Sequence, residues 1–179
     1  VSYQLPDGAS MEFEQPASAF EIAGRISKKL AKQALAAKAN DNLIDVYLPI
    51  DDGATVEIIT RETDEALELI RHDAAHVMAE AVQELFPDTQ VTIGPTITNG
   101  FYYDFHRDTP FTPDDLKTIE KRMQDIVRRN EEIRREVWDR DEAVGFFLEK
   151  GEEFKAEIIR ELPADQEVSL YRQGEFIDL

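Results

Sequence analysis

His72 and His76 are two of only three histidines in the 179 residues, and they stand four apart in "LIRHDAAHVMAEAVQELF". On a helix that spacing brings two imidazoles to neighbouring positions of one face, where they can converge on an ion, a water or a substrate atom. An imidazole with an ordinary pKa of about 6.5 is suited to taking and returning a proton near neutrality. The spacing alone leaves an ordinary solvated face about equally open. A zinc-protease reading needs His-Glu-x-x-His, and this chain has Asp73 at the second position, one methylene short of the usual base. Two histidines supply two ligands where a stable zinc site takes three or four, and there is no cysteine. No metal is therefore expected.

The element that must carry the pair is long. Asp64 and Glu65 suit the positive end of a helix, Thr63 is the expected N-cap, and Pro87 stops it. Those residues would span about 34 Å at 1.5 Å each. On a wheel, Leu67, Ile70, Ala74, Val77, Met78, Ala81 and Leu85 form the apolar stripe. His72 and His76 fall nearly opposite, beside Ala79 and Gln83, which predicts a polar face away from the core.

The sixty residues ahead of this helix read as a small α+β unit of order ββαββ. "VSYQLPDGASMEFE" gives two short strands about Pro6-Asp7-Gly8. "SAFEIAGRISKKLAKQAL" gives one helix with a Ser18/Glu21 capping box, burying Phe20, Ile22, Ala23, Ile26 and Leu30. "LIDVYLPI" and "ATVEIIT" give two more strands, so the helix should pack on a mixed sheet. After the long helix come strands in "VTIGPTITNGFYYDFH" with an Asn99-Gly100 hairpin, a helix opened by Thr112-Pro113, a strand "EEIRREVW", two short helices and a terminal hairpin "VSLYRQGEFIDL". The expected division is 1–61 and 62–179, joined near Thr60–Thr63 with few contacts across the joint.

Net charge is −18, which argues against non-specific nucleic-acid binding through Lys and Arg. Yet twelve of the twenty basic residues lie in two segments, 25–38 and 117–135. Arg25, Lys28, Lys29 and Lys32 would share a helix face, read mainly as the solvated side of an amphipathic helix. Lys121, Arg122, Arg128 and Arg129 are the better candidates for an RNA contact. No apolar run approaches a membrane span, and no leader-like segment opens the sequence. A cytoplasmic protein is expected.

The runs "RHDAAHVMAEAVQELFP", "IGPTITNGFYYDF", "LEKGEEFK" and "EFIDL" resemble the editing domain of bacterial threonyl-tRNA synthetases, and the preceding sixty residues resemble the ubiquitin-like TGS domain that begins the same enzymes. The resemblance covers the whole chain in order. It implies an α+β editing domain, with the long helix packed on an antiparallel sheet, that hydrolyses serine misattached to threonine's tRNA. By resemblance His72 and His76 match the family's His-x-x-x-His, and Lys155 its lysine, which could hold the ribose or the developing oxyanion. Tyr103 matches a pocket tyrosine, with Tyr102 left to packing. Asp178 matches a pocket acid that binds the seryl ammonium or orients a histidine, although a carboxylate two residues from a chain end is otherwise usually solvated and prone to fray. A Cys-x-x-x-His that follows Leu179 in the family would complete the pocket, so the hydrolytic site is incomplete within these residues.

The implied partners are threonine's tRNA and its mischarged seryl form. No cofactor is implied within these residues, while ATP and zinc are implied for a catalytic region outside them. The whole enzyme is implied to be a homodimer and this stretch alone a monomer. The competing functions are a non-catalytic tRNA-binding or regulatory module, and an independent metal hydrolase built on the histidine pair.

Overall fold

Around Pro6-Asp7-Gly8, Asp7 Oδ1 accepts the Ala9 N–H at 2.9 Å and closes the turn between β1 (Ser2–Gln4) and β2 (Ser10–Glu12), which pair antiparallel. This is a computed structural model, and it describes residues 1–179. The chain divides into two compact units, Val1–Ile70 and Arg71–Leu179.

In the first unit, Ser18 and Glu21 cap each other's backbone at the start of α1 (Ala19–Ile26). The single expected helix breaks at Ser27, whose extended backbone ends α1 and whose hydroxyl accepts the Leu30 N–H at the start of α2 (Lys28–Gln33). Phe20 and Ile26, expected inside, are exposed. The chain then turns straight into β3 (Ala34–Ala39), a strand that the sequence pattern does not announce. "ALAAKA" has the composition of a helix, but antiparallel pairing on both sides with β4 (Asn42–Asp45) and β5 (Val56–Thr60) overrides that preference. The order is therefore ββααβββ. A parallel bridge between Gln4 and Thr55 makes the strand set mixed. Tyr3, Ile22, Ala37, Ile50 and Val56 form the core, and the Tyr3 hydroxyl both donates to Ile50 O and accepts from Ala17 N, each at 2.8 Å.

The long helix, α3, spans Asp64–Leu85. At its start the Thr63 hydroxyl donates backward to Thr60 O at 3.0 Å. Ala66 and Leu69 pack with Ala36 and Ile59, and Lys38 meets Glu65 at 2.5 Å. Its first turns thus belong to the first unit. The expected joint at 61/62 lies inside that unit, and the division falls at Ile70/Arg71 within the helix.

In the second unit, short paired strands follow: β6 (Gln90–Val91) with β9 (Phe105–His106), and β7 (Thr96–Ile97) with β8 (Gly100–Phe101). Ile97 pairs with Gly100, so Thr98-Asn99 is the loop, one residue earlier than Asn99-Gly100. Helix α4 (Pro113–Arg129) opens with Pro113 and a Thr112/Asp115 capping box. Its Ile119 and Ile126 pack on Val77, Ala81 and Val82 of α3. Strand β10 (Ile133–Trp138) pairs with β11 (Val168–Gln173), which pairs with β12 (Phe176–Asp178). Helices α5 (Arg140–Glu149) and α6 (Glu153–Glu161) cover one face of that sheet through Phe147, Ile159, Leu170 and Ile177. Side chains alternate along a strand, so Tyr171 and Asp178 fall on the other face.

Candidate active site

The β11–β12 hairpin is what sets the site. Gln173 pairs with Phe176, leaving a two-residue turn in which Gly174 has φ +55°, a region glycine enters without a Cβ penalty. That register places Tyr171 directly opposite Asp178. Asp178 does not fray at the end of the chain; it is 1% exposed.

Three side chains converge on its carboxylate. His76 Nδ1 lies 2.7 Å from Oδ2, and Lys155 Nζ lies 2.7 Å from Oδ1. The Tyr103 hydroxyl donates to both oxygens, at 2.9 and 3.1 Å. Tyr171 backs the histidines, its ring lying over His76 (centroids 5.1 Å, planes 30° apart) and edge-on to His72 at 4.7 Å. The two imidazoles are 4.4 Å apart.

Histidine placement corrects the wheel. His76 is 5% exposed and Ala79 is fully buried, so the face opposite the apolar stripe is also interior. Helix α3 is enclosed on both sides from Ala75 onward, by α4 and by the β11–β12 face. The outward positions are instead Leu67 and Ile70, expected in the stripe and found exposed.

Ionisation follows from this enclosure. Burial works to raise Asp178, but the Lys155 charge and the His76 hydrogen bond outweigh it and hold the carboxyl below its usual range. With Asp178 ionised, Nδ1 is the donor in the His76 contact, so in a neutral ring Nε2 is the acceptor. That Nε2 is buried and has no partner. Burial pushes His72 down to about 4, with the charge of His76 adding and Asp178 opposing, so His72 is neutral at pH 7. Tyr103 is pushed far above the usual phenol range by burial, then by the charge and hydrogen bond of Asp178 and by Glu152, so it stays a donor.

Lys155 is fully buried, with its ammonium between Asp178 and Glu152, each at 2.7 Å, and near the rings of Phe147 and Phe176. Two carboxylates neutralise its charge and hold it. Tyr102, expected to pack, is half exposed.

The arginines named as RNA contacts divide. Arg122 meets Glu84 at 2.7 Å, and Arg129 forks onto Glu84 at 2.7 and 3.0 Å while reaching Glu80 at 3.0 Å. Arg128 pairs only along its own helix with Asp125, at 2.6 Å, and Lys121 is exposed. In the other basic segment, Arg25 lies over the Phe13 ring and donates to Glu12 O, and the break at Ser27 separates it from Lys28, Lys29 and Lys32.

Sequence reasoning missed Tyr171 and Glu152. Tyr171 could have been found by folding "VSLYRQGEFIDL" about Gly174, since the register then puts it across from Asp178. Glu152 carries no signal of its own beyond standing three residues before Lys155.

Residues 1–60 match the family model of the TGS domain. Along its full length the chain is 53% identical over 179 residues to the threonine–tRNA ligase of Rickettsia akari (strain Hartford) and 54% identical to that of Rickettsia peacockii (strain Rustic). Identity to the threonine–tRNA ligase of Paramagnetospirillum magneticum is 57% over 180 residues. Each comparison covers 100% of this chain and 28% of the relative. From end to end the chain thus belongs to the threonine–tRNA ligase family, corresponding to about the N-terminal 28% of its relatives' length and carrying a TGS domain at its start.

Proposed function

We propose that residues 71–179 supply one part of the editing site of an enzyme that joins threonine to its tRNA, a site that hydrolyses serine wrongly esterified to that tRNA. Serine lacks one methyl of threonine, and a pocket gains only about 1–3 kcal/mol from a methyl, too little to exclude the smaller residue. A separate hydrolytic site removes the error.

The carrying observation is His76, held through Nδ1 by the buried Asp178 at 2.7 Å with its Nε2 unpartnered beside His72. A buried acceptor without a partner costs about 1–3 kcal/mol, a penalty relieved when a water or substrate hydroxyl completes the bond. In the proposed reaction Nε2 takes a proton from water as the water oxygen bonds to the ester carbonyl carbon. When the carbon–oxygen bond to the ribose breaks, the imidazolium returns that proton to the ribose oxygen, leaving free serine and uncharged tRNA. Asp178 keeps His76 in the Nδ1–H tautomer and stabilises the transient imidazolium. His72, neutral and half-buried, positions the water or the ribose hydroxyl. Asp178 already accepts from three side chains, so it orients rather than receives the seryl ammonium. Lys155 and Tyr103 act through Asp178 as positioning residues.

The ATP-dependent joining step and its zinc belong to residues outside these 179. Within these residues no group of three or more His, Cys, Asp or Glu side chains is arranged to hold a metal ion. Threonine's tRNA is the partner in this reading. No helix is long and apolar enough to cross a membrane.

The test is deacylation of pre-charged seryl-tRNA by the full-length protein and its His76→Ala and His72→Ala variants. Loss of a general base lowers such a rate by about 10² to 10⁴. His76→Ala should fall in that range while tRNA affinity stays constant. An unchanged deacylation rate with His76→Ala would overturn the reading.

A further inference from the structure

We propose that Gly94 is a positioning residue of the histidine site, because only a residue without a side chain at this position lets Tyr103 reach Asp178. A Cβ on Gly94 would stand 2.1 Å from Tyr103 Cδ2, 2.6 Å from Cε2 and 3.0 Å from Cγ, where ordinary contact begins at 3.4 Å. The three nearest atoms to such a Cβ all belong to the ring. Gly94 is not among the residues with positive φ, so its backbone conformation is open to alanine. Nor can the ring simply slide aside, since Phe105 stacks on it with centroids 4.9 Å apart and planes 20° apart. The ring thus lies against both the Gly94 position and Phe105, and in this placement its hydroxyl reaches both oxygens of Asp178, at 2.9 and 3.1 Å.

The consequence runs through three side chains. A methyl at position 94 moves the Tyr103 ring by about 1 Å, enough to carry its hydroxyl out of hydrogen-bond range of at least one carboxylate oxygen. Asp178 then loses a donor and turns more of its charge toward His76 Nδ1 and Lys155. The geometry of the Asp178–His76 pair changes although no residue touching His76 has been replaced. Gly94 stands beside Pro95, which by itself reads as a strand interruption; the close approach of Tyr103 gives the glycine a second and independent requirement.

The rate consequence rests on the hydrolytic reading, whereas the structural consequence does not, so two readouts are needed. The His76 Nδ1–H proton resonance reports the hydrogen bond to Asp178 directly, and with three histidines in this chain it can be assigned by substitution. Three variants complete a cycle: Gly94→Ala, Tyr103→Ala and the double variant. In Gly94→Ala the resonance should move downfield, and so should that of Tyr103→Ala. Adding Gly94→Ala to Tyr103→Ala should change nothing further, because the ring it would strike is gone. In the full-length protein, Gly94→Ala should slow seryl-tRNA deacylation by on the order of 100-fold at unchanged KM, the scale of a 1 Å misplacement.

If Gly94→Ala fails to fold while the double variant folds, the ring clash is confirmed by rescue; if neither folds, the proposal is overturned. A resonance unmoved by Gly94→Ala, or an equal effect with and without the Tyr103 ring, also overturns it. A resonance that moves as expected in a protein whose wild type does not deacylate seryl-tRNA would uphold the role of Gly94 and sink the hydrolytic reading instead.

Discussion

Along α3, His72 and His76 look toward β11 and β12, while Glu80 and Glu84, one and two turns on, meet Arg122 and Arg129 of α4. Both clusters, on successive turns of one side of the helix, carry charge against the interior, and they manage it differently. On the histidine face one carboxylate, 1% exposed, gathers a lysine, an imidazole and a phenol, and leaves one imidazole nitrogen without a partner. On the glutamate face two arginines, each with more than a third of its side chain in solvent, reach in to two carboxylates. The first arrangement is sealed from solvent around one carboxylate. The second is half solvated and ties two helices together.

The largest expected difference between the faces is in the cost of breaking them. Asp178→Ala leaves Lys155 and His76 buried without their common partner, and removing one member of such a buried group costs about 3–5 kcal/mol. Urea unfolding should report a drop in that range at pH 7. A drop under about 1 kcal/mol, the scale of an exposed pair, would mean that the network relaxes into solvent and that the sealed character of the histidine face is wrong. Asp178→Ala should also abolish seryl-tRNA deacylation in the full-length protein.

Arg129→Met is the matching cut on the other face, and it should cost only about 1 kcal/mol at pH 7, because the arginine is solvent-screened and its partners can adapt. Glu80 has a way to adapt. Burial and the neighbouring charge of Glu84, with Glu131 adding and Arg129 opposing, raise it to about 7, so it can take up a proton once the arginine is gone. A cost as large as that of Asp178→Ala would erase the contrast between the faces.

Opposite pH dependences give a finer test. His72 is lowered to about 4 from an ordinary value of 6.5, so between those values the unfolded chain binds the proton and the folded chain does not. Stability from this group therefore falls as pH drops from 6.5 to 4. Glu80 is raised from 4.5 to about 7, so in that window the folded chain holds the extra proton and stability falls as pH rises. His72→Gln should accordingly lessen the decline of stability on acidification, and Glu80→Gln should steepen it. Asp178, held low, contributes only below its ordinary 3.8, outside this window. Urea titrations of the three proteins from about pH 4 to 7 decide the matter; slopes that change in the same sense for both variants would contradict the assignment.

How much of this is readable from residues alone can be judged on particular elements. The histidine pair, its helix, the capped start of α4 and the terminal hairpin all follow from local signals, because spacing, caps and turns act over a few residues. Their surroundings do not. A wheel treats a helix as having one buried side, and α3 has two from Ala75 onward, so a wheel wrongly sends the histidine face to solvent. Alanine-rich β3 reads as helix until β4 and β5 flank it. The match of Lys155, Tyr103 and Asp178 to a site comes through family resemblance, since nothing in their own neighbourhoods distinguishes a lysine, a tyrosine or a terminal acid from ordinary ones. Ion pairing is the least legible feature. Arg129 lies 45 residues from Glu84 and 49 from Glu80, and no local pattern joins them.

That pairing shapes the smallest expected effect, which concerns the four basic residues that the sequence offers as RNA contacts. Arg122 and Arg129 are engaged with Glu84 and Glu80, so a phosphate would have to compete with those carboxylates for their charge. Lys121 is exposed, and Arg128, with 69% of its side chain in solvent, makes only an i,i+3 pair worth a few tenths of a kcal/mol. The two pairs of residues should therefore separate by assay. Replacing Lys121 and Arg128 with alanine should leave stability within about 0.5 kcal/mol of the parent, as is usual for surface substitutions. If these two meet the tRNA backbone in the full-length protein, the same change should flatten the dependence of tRNA affinity on salt by about one unit of log–log slope for each phosphate no longer neutralised. Replacing Arg122 and Arg129 should do the reverse, lowering stability while leaving the salt slope nearly unchanged. Filter binding between about 50 and 200 mM salt, run beside urea unfolding, distinguishes the two. A slope that falls with Arg122 and Arg129 but not with Lys121 and Arg128 would show that tRNA binding engages the α3–α4 clamp, and the reading of the glutamate cluster as purely structural would then fail.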